Sequence, residues 1–116
     1  MSDGLTPPPG RLGITTEAGD GAVTLILEGE LDLASVGELE RQLTVAQARA
    51  PTRVVVDLRR LAFIDSSGLR TIIQADANAR ARGSELVLRP GSDSIQRVFE
   101  LTGALEVLRF EDAAQA

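Results

Sequence analysis

Asp65, Ser66, Ser67 and Gly68 stand together in the stretch LAFIDSSGLRT, residues 61 to 71, where apolar spacing stops and then resumes at a new period. A carboxylate beside two hydroxyls could serve several kinds of chemistry. A serine nucleophile needs a base, yet the chain has no His and no Lys, and no Gly-x-Ser-x-Gly turn surrounds either serine. A phosphate-cradling loop fits badly too, with a single glycine and no lysine. Two readings stay open on the residues alone. Asp, Ser and Gly are the residues that satisfy the free first-turn amides where a helix begins. A hydroxyl in that position also lies beside those amides and the positive end of the helix dipole, which can hold an added phosphate without melting the helix. Another protein would then act on the serine.

The totals narrow the classes further. At 116 residues the chain is long enough for one domain with a real core. Apolar residues make up 43% and only three residues are aromatic, all Phe, so Leu, Ile, Val and Ala must build that core. The absence of Cys and His removes disulfides, thiolate metal sites and redox centres, leaving only an all-carboxylate Mg²⁺ or Ca²⁺ site open in principle. The net charge is -5 and the arginines are scattered, so there is no basic stripe for nucleic acid. No apolar run approaches ~18 residues, and the start, MSDGLTPPPG, lacks the layout of a signal peptide. The expectation is a cytoplasmic protein that neither crosses nor binds a membrane.

The elements that must position the DSSG group can be read from periodicity. Residues 1–10, rich in proline and glycine, read as a flexible lead-in, 11–112 as a single domain and 113–116 as a short tail. Gly19-Asp20-Gly21 joins two β-branched runs as a hairpin, and Val23, Leu25 and Leu27 mark the buried face of its second strand, which ends at Gly29-Glu30-Leu31-Asp32. Ser35 with Glu38 has the spacing of a capping box. Val36, Leu39, Leu43, Ala46 and Ala50 then form a helical stripe that Pro51 stops. RVVVDL, residues 53–58, reads as a short strand covered on both faces. Leu69, Ile72 and Ile73 open a second helix running to Gly83, and ELVLRP is the next strand. Ser92 or Asp93 caps a third helix in which Ile95, Val98, Phe99 and Thr102 share a face, the first three with the spacing of a core face, and whose end is Gly103; EVLRF is the last strand. Helix-linked strands imply a largely parallel α/β sheet. Arg59 and Arg60 read as a solvated loop pair. Asp57, at the end of its strand, is expected to pair with a backbone amide or an arginine.

FIDSSGL, preceded by VVVDL, resembles the signature of the STAS-domain anti-sigma factor antagonists. EGELDLASVGELERQL resembles that family's strand ending in Gly-Glu-Leu-Asp and the helix after it, and GSDSIQRVFELTGALEVLRF resembles its final helix and strand. The likeness covers roughly residues 12 to 110. It implies a STAS-like mixed sheet, an N-terminal antiparallel hairpin followed by α-β-α-β-α-β, with helices packed on the sheet. It also implies that Ser66, the first hydroxyl after the acid, is the phosphorylated residue. Asp32 would lie near it, with Asp65, Ser67 and Gly68 completing the phosphosite surroundings and the partner-binding surface. Arg70 stands where the family often has Gly; it could steady a phosphoserine, alter the kinase contact or extend into solvent.

The function implied is that of an anti-sigma factor antagonist, bacterial and active in stress response. The unmodified chain binds an anti-sigma factor that is also a serine kinase, and phosphorylation on Ser66 ends the binding. A serine phosphatase restores it. The chain itself would be no enzyme and hold no cofactor, ATP being bound by the partner. Two other classes remain. One is a STAS scaffold subunit of a sensory or lipid-transport assembly with no phosphate cycle. The other is a small-molecule or nucleotide binder using the helix N-terminus.

Overall fold

The computed structural model describes residues 11–111, so the predicted lead-in and tail lie outside the described residues. Strands β1 (Leu12–Gly19) and β2 (Ala22–Leu31) form the expected hairpin, turning through Asp20 and Gly21, both at positive φ. Helix α1 (Val36–Gln47) leads to β3 (Arg53–Ile64), and α2 (Ser66–Ala81) to β4 (Glu85–Arg89). Helix α3 (Asp93–Thr102) is followed by a 3₁₀ turn at Ala104–Glu106. The described strands form one sheet in the order β1-β2-β3-β4, antiparallel for the first pair and parallel thereafter.

One apolar cluster explains the layering. Alternate residues of β2 (Val23, Leu25, Leu27), β3 (Val54, Val56, Leu58) and β4 (Leu86, Leu88) join Leu39 and Leu43 of α1, Leu69 and Ile72 of α2, and Ile95 and Phe99 of α3. The opposite face of the central strands is buried as well, at Val55 and Val87, but these stand outside that cluster. Phe99 also meets Phe110 edge-on, with ring centroids 5.3 Å apart, which fixes the C-terminal segment against α3.

Four expectations need correction. The capping box is not formed: the Ser35 hydroxyl donates to the Glu30 carbonyl at 2.8 Å and accepts from the Asp32 amide at 3.0 Å, while Glu38 pairs with Arg41. The helical stripe stops short of Ala50, which is exposed and at positive φ, because α1 already ends at Gln47. β3 runs six residues beyond Leu58, so Arg59 and Arg60 belong to a strand; Arg59 bonds the Asp57 carboxylate, and Arg60 lies 3.9 Å from Glu28. EVLRF forms no strand among the described residues. Its chain first closes the 3₁₀ turn, and only Phe110 bridges to Leu88.

Candidate functional site

The site is made by two strands that end side by side. β2 and β3 are in register at Leu31 and Ile64, their last residues, so Asp32 and Asp65 leave the sheet together. The Asp65 amide donates to the Leu31 carbonyl at 3.2 Å, which continues the pairing one step past β3. This alignment depends on two register shifts, between Ile26 and Glu28 and between Gly29 and Glu30, each giving β3 an extra residue against β2.

Asp65 is the N-cap of α2, as its residue type suggests, and its two oxygens have separate tasks. Oδ1 accepts from the Gly68 amide at 3.0 Å, satisfying a first-turn donor. Oδ2 accepts from the Leu33 amide at 3.3 Å, so the same carboxylate ties the β2–α1 loop to the start of α2. Asp32 shapes that loop, its Oδ1 accepting from the amides of Ala34 at 3.0 Å and Ser35 at 3.2 Å.

Gly68 is required by distance. A Cβ there would fall 2.7 Å from Leu31 Cγ, 2.9 Å from the Leu31 carbonyl oxygen and 3.0 Å from Ile64 Cγ1. The first turn of α2 therefore lies directly on the ends of β2 and β3. Ser66, the first helical residue, faces outward and is exposed, and among the described residues no hydrogen bond engages its Oγ. Ser67 is half-buried, its carbonyl accepting from the Thr71 hydroxyl at 3.0 Å. Arg70 is exposed one turn further along, and no bond joins it to Asp32, Asp65 or Ser66. The structure thus gathers Asp32, Asp65, Ser66, Ser67 and Gly68 at one end of the sheet, with Arg70 one turn further along α2 and unbonded to them.

Two residues at this end escaped the sequence reading. Leu33 is 75% exposed and Phe63 47% exposed, one in the loop held by Asp65 and the other two residues before it. Alternation counted from Leu31 or Leu61 puts both side chains inside. The loop turn after Asp32 and the β3 bulge turn them out, and neither feature has a strong residue signature.

Asp57 lies at the other stage of the sheet, in register with Ile26 and Arg89. It accepts from the Arg59 amide at 3.0 Å and from the Arg59 guanidinium at 2.8 Å, and Arg89 stands 3.5 Å away. Burial would push this carboxyl up, but the hydrogen bonds and charge of Arg59, with the charge of Arg89, hold it below the ordinary carboxylate value. This group meets both expected partner types and takes no part in the Ser66 end.

A groove of about 490 Å³ between α1 and α2 is lined by Leu43, Thr44, Gln47, Thr71, Gln74 and Asn78 among others, and contains none of the predicted site residues. Its polar lining is mostly amides and hydroxyls, with one carboxylate, Glu40, and one guanidinium, Arg82. Among the described residues no group of three or more carboxylates converges on a metal position, and no helix is long and apolar enough to cross a bilayer.

Comparison with known proteins gives the fold a family. The family described as Mlab, STAS domain, matches residues 14–109. An anti-sigma-B factor antagonist of Listeria monocytogenes is 30% identical over 90 residues, covering 78% of this chain and 79% of that protein. Two solved structures share the fold. One is an anti-sigma factor antagonist from Mycobacterium paratuberculosis, with a TM-score of 0.79 at 21% identity over 91% of this chain and 89% of that one. The other is the Bacillus cell fate determinant SpoIIAA in its phosphorylated form, with a TM-score of 0.66 at 22% identity over 89% of this chain and 95% of that one. With nearly the whole sheet and every described helix inside the matched range, the chain belongs to the STAS-domain family.

Proposed function

We propose that this chain is an anti-sigma factor antagonist whose binding is switched by phosphorylation of Ser66. The observation that carries the reading is the Ser66 hydroxyl, exposed and unbonded at the first position of α2, on a surface that also exposes Leu33 and Phe63. The loop and helix presenting these side chains are held together by Asp65, so the surface is already formed before a partner arrives. Large apolar side chains left exposed beside the serine suit a protein interface. The names of the relatives supply the partner class, an anti-sigma factor.

The partner would bind this end, release its sigma factor, and use its own ATP on Ser66. The Ser66 Oγ forms a bond to the γ-phosphorus while the bond to the β,γ-bridging oxygen breaks. ADP leaves with that electron pair, and the hydroxyl proton passes to a base on the kinase. A phosphatase reverses the change by hydrolysis, returning the hydroxyl and inorganic phosphate. The chain acts as substrate and binding module, holds no cofactor and works in the cytoplasm.

One phosphate is sufficient for such a switch. It adds about -1.5 to -2 charges at neutral pH. A carboxylate ~6 Å away then costs roughly 1 to 5 kcal/mol, depending on the local dielectric. A loss of about 4 kcal/mol weakens binding ~1,000-fold. Incubation with candidate anti-sigma kinases and ATP, read by intact-mass spectrometry, tests the reading. The expected result is a mass gain of one phosphate that disappears in Ser66→Ala, with binding weakened ~1,000-fold in the modified chain. A gain unaffected by Ser66→Ala rejects it. So does stable co-purification with a non-kinase assembly irrespective of Ser66, the behaviour of a scaffold subunit.

A further inference from the structure

Arginine usage along α2 is uneven. Arg80 stands one turn after Asp76 and closes an i,i+4 ion pair at 3.0 Å, whereas Arg70 stands one turn after Ser66 and has no anionic partner among the described residues. The two pairs have the same spacing and the same order along one continuous helix. Residues at i and i+4 lie about 5–6 Å apart at Cβ, and helical side chains lean toward the N-terminus, so Ser66 is within reach of the Arg70 side chain. Ser66 differs from Asp76 in carrying no anion, and in standing exposed at the first position of α2 where Asp76 is buried within the helix. We propose that Arg70 is the built-in counter-ion for a phosphate carried on Ser66, closing across the first turn of α2 the pair that Asp76 and Arg80 already make further along. This rests on the reading of Ser66 as the phosphorylated residue.

The surroundings favour Arg70 for this task. The carboxylates next to the site, Asp65 and Asp32, are occupied by backbone amides. They do not draw Arg70 away, and they leave the site with negative charge that a phosphate would increase. A guanidinium offers a planar fork that matches phosphate oxygens and keeps its charge at any accessible pH. The pair steadies the modified state in the free domain, while the unmodified hydroxyl leaves Arg70 in solvent.

Phosphoserine can be installed at position 66 by genetic encoding, without any kinase, and its phosphorus followed by ³¹P NMR through a pH titration at low salt. The second phosphate ionisation should lie about 0.3–0.7 pH units lower in the parent chain than in Arg70→Gln. Arg70→Lys should retain part of the shift, and 1 M salt should remove most of it. Asp32, Asp65 and the helix dipole are common to all variants and cancel in the comparison. Identical titrations for parent and Arg70→Gln at low salt overturn the proposal. Because no kinase is used, a shift observed in a chain that no anti-sigma kinase modifies would uphold the ion pair and reject the regulatory reading instead.

Discussion

A single hydrogen atom at Gly68 sets how closely α2 approaches the sheet, and with it the direction in which Ser66 points. The neighbours a methyl group would meet include the Leu31 carbonyl oxygen, which is backbone and cannot rotate aside. Gly68→Ala should therefore destabilise the fold by about 1–3 kcal/mol, the cost typical of overpacking, even though alanine is the better helix former. Gly37, in the first turn of α1, has nothing within 4 Å of its would-be Cβ. Gly37→Ala should be neutral or stabilising by up to about 1 kcal/mol. Urea midpoints for the two variants check this directly, and equal effects would mean that Gly68 is not tightly packed. Part of this site was legible in residue types: Asp65 followed by Ser66, Ser67 and Gly68 reads as a helix start, and it is one. That the same Asp65 also reaches the Leu33 amide was not legible, because 32 residues separate the partners and only the Leu31–Ile64 register brings them together.

Elements read correctly where a local rule decided the outcome, and misread where a longer-range contact overrode it. Ser92 caps α3, its hydroxyl accepting from the Ile95 amide, and α3 ends at Gly103 in the left-handed conformation, as local chemistry dictates. The sequence reading ends β3 at Leu58 because the continuously buried run stops there; beyond it only Leu61 and Ile64 are buried, a three-residue step set by bulges that depend on pairing with β2. The C-terminal EVLRF has strand-like composition, but its first residue, Glu106, still belongs to the 3₁₀ turn, and Leu108 is its one buried residue. Ser35 and Glu38 offer the sharpest test of local against tertiary control. A capping box would make both residues matter, whereas here Ser35 is buried and spans Glu30 and Asp32, and Glu38 makes an exposed pair. Ser35→Ala should cost about 1–2 kcal/mol and Glu38→Ala less than about 0.5 kcal/mol. Comparable losses in thermal or urea unfolding would restore the capping box.

For the molecule as a whole, the -5 charge and the paired buried acid make acidity a lever on stability. Asp57 is 1% exposed and holds Arg59 beside it and Arg89 on β4, while Arg89 in turn binds Glu111 at 2.9 Å. One carboxylate thus links the central strand to its neighbour and to the end of the described chain. Its proton affinity is lower in the folded state than in the unfolded chain, so ionised Asp57 favours folding. That contribution is complete above the unfolded value near pH 4 and is lost as pH falls through the lower folded value. Glu85 is shifted the same way, chiefly by its hydrogen bond to Arg109, but it is more open to solvent and adds less. Asp57→Asn should therefore lower stability at pH 7 by about 1–3 kcal/mol, since a charged hydrogen-bond acceptor is replaced by a neutral one. As pH falls below about 4, the parent should lose stability faster than the variant, and the gap between them should narrow. Guanidinium midpoints of both chains between pH 7 and pH 2.5 measure that gap. A difference that stays constant across the range would mean Asp57 titrates alike in the folded and unfolded states, and that its arginines hold it by shape rather than by charge.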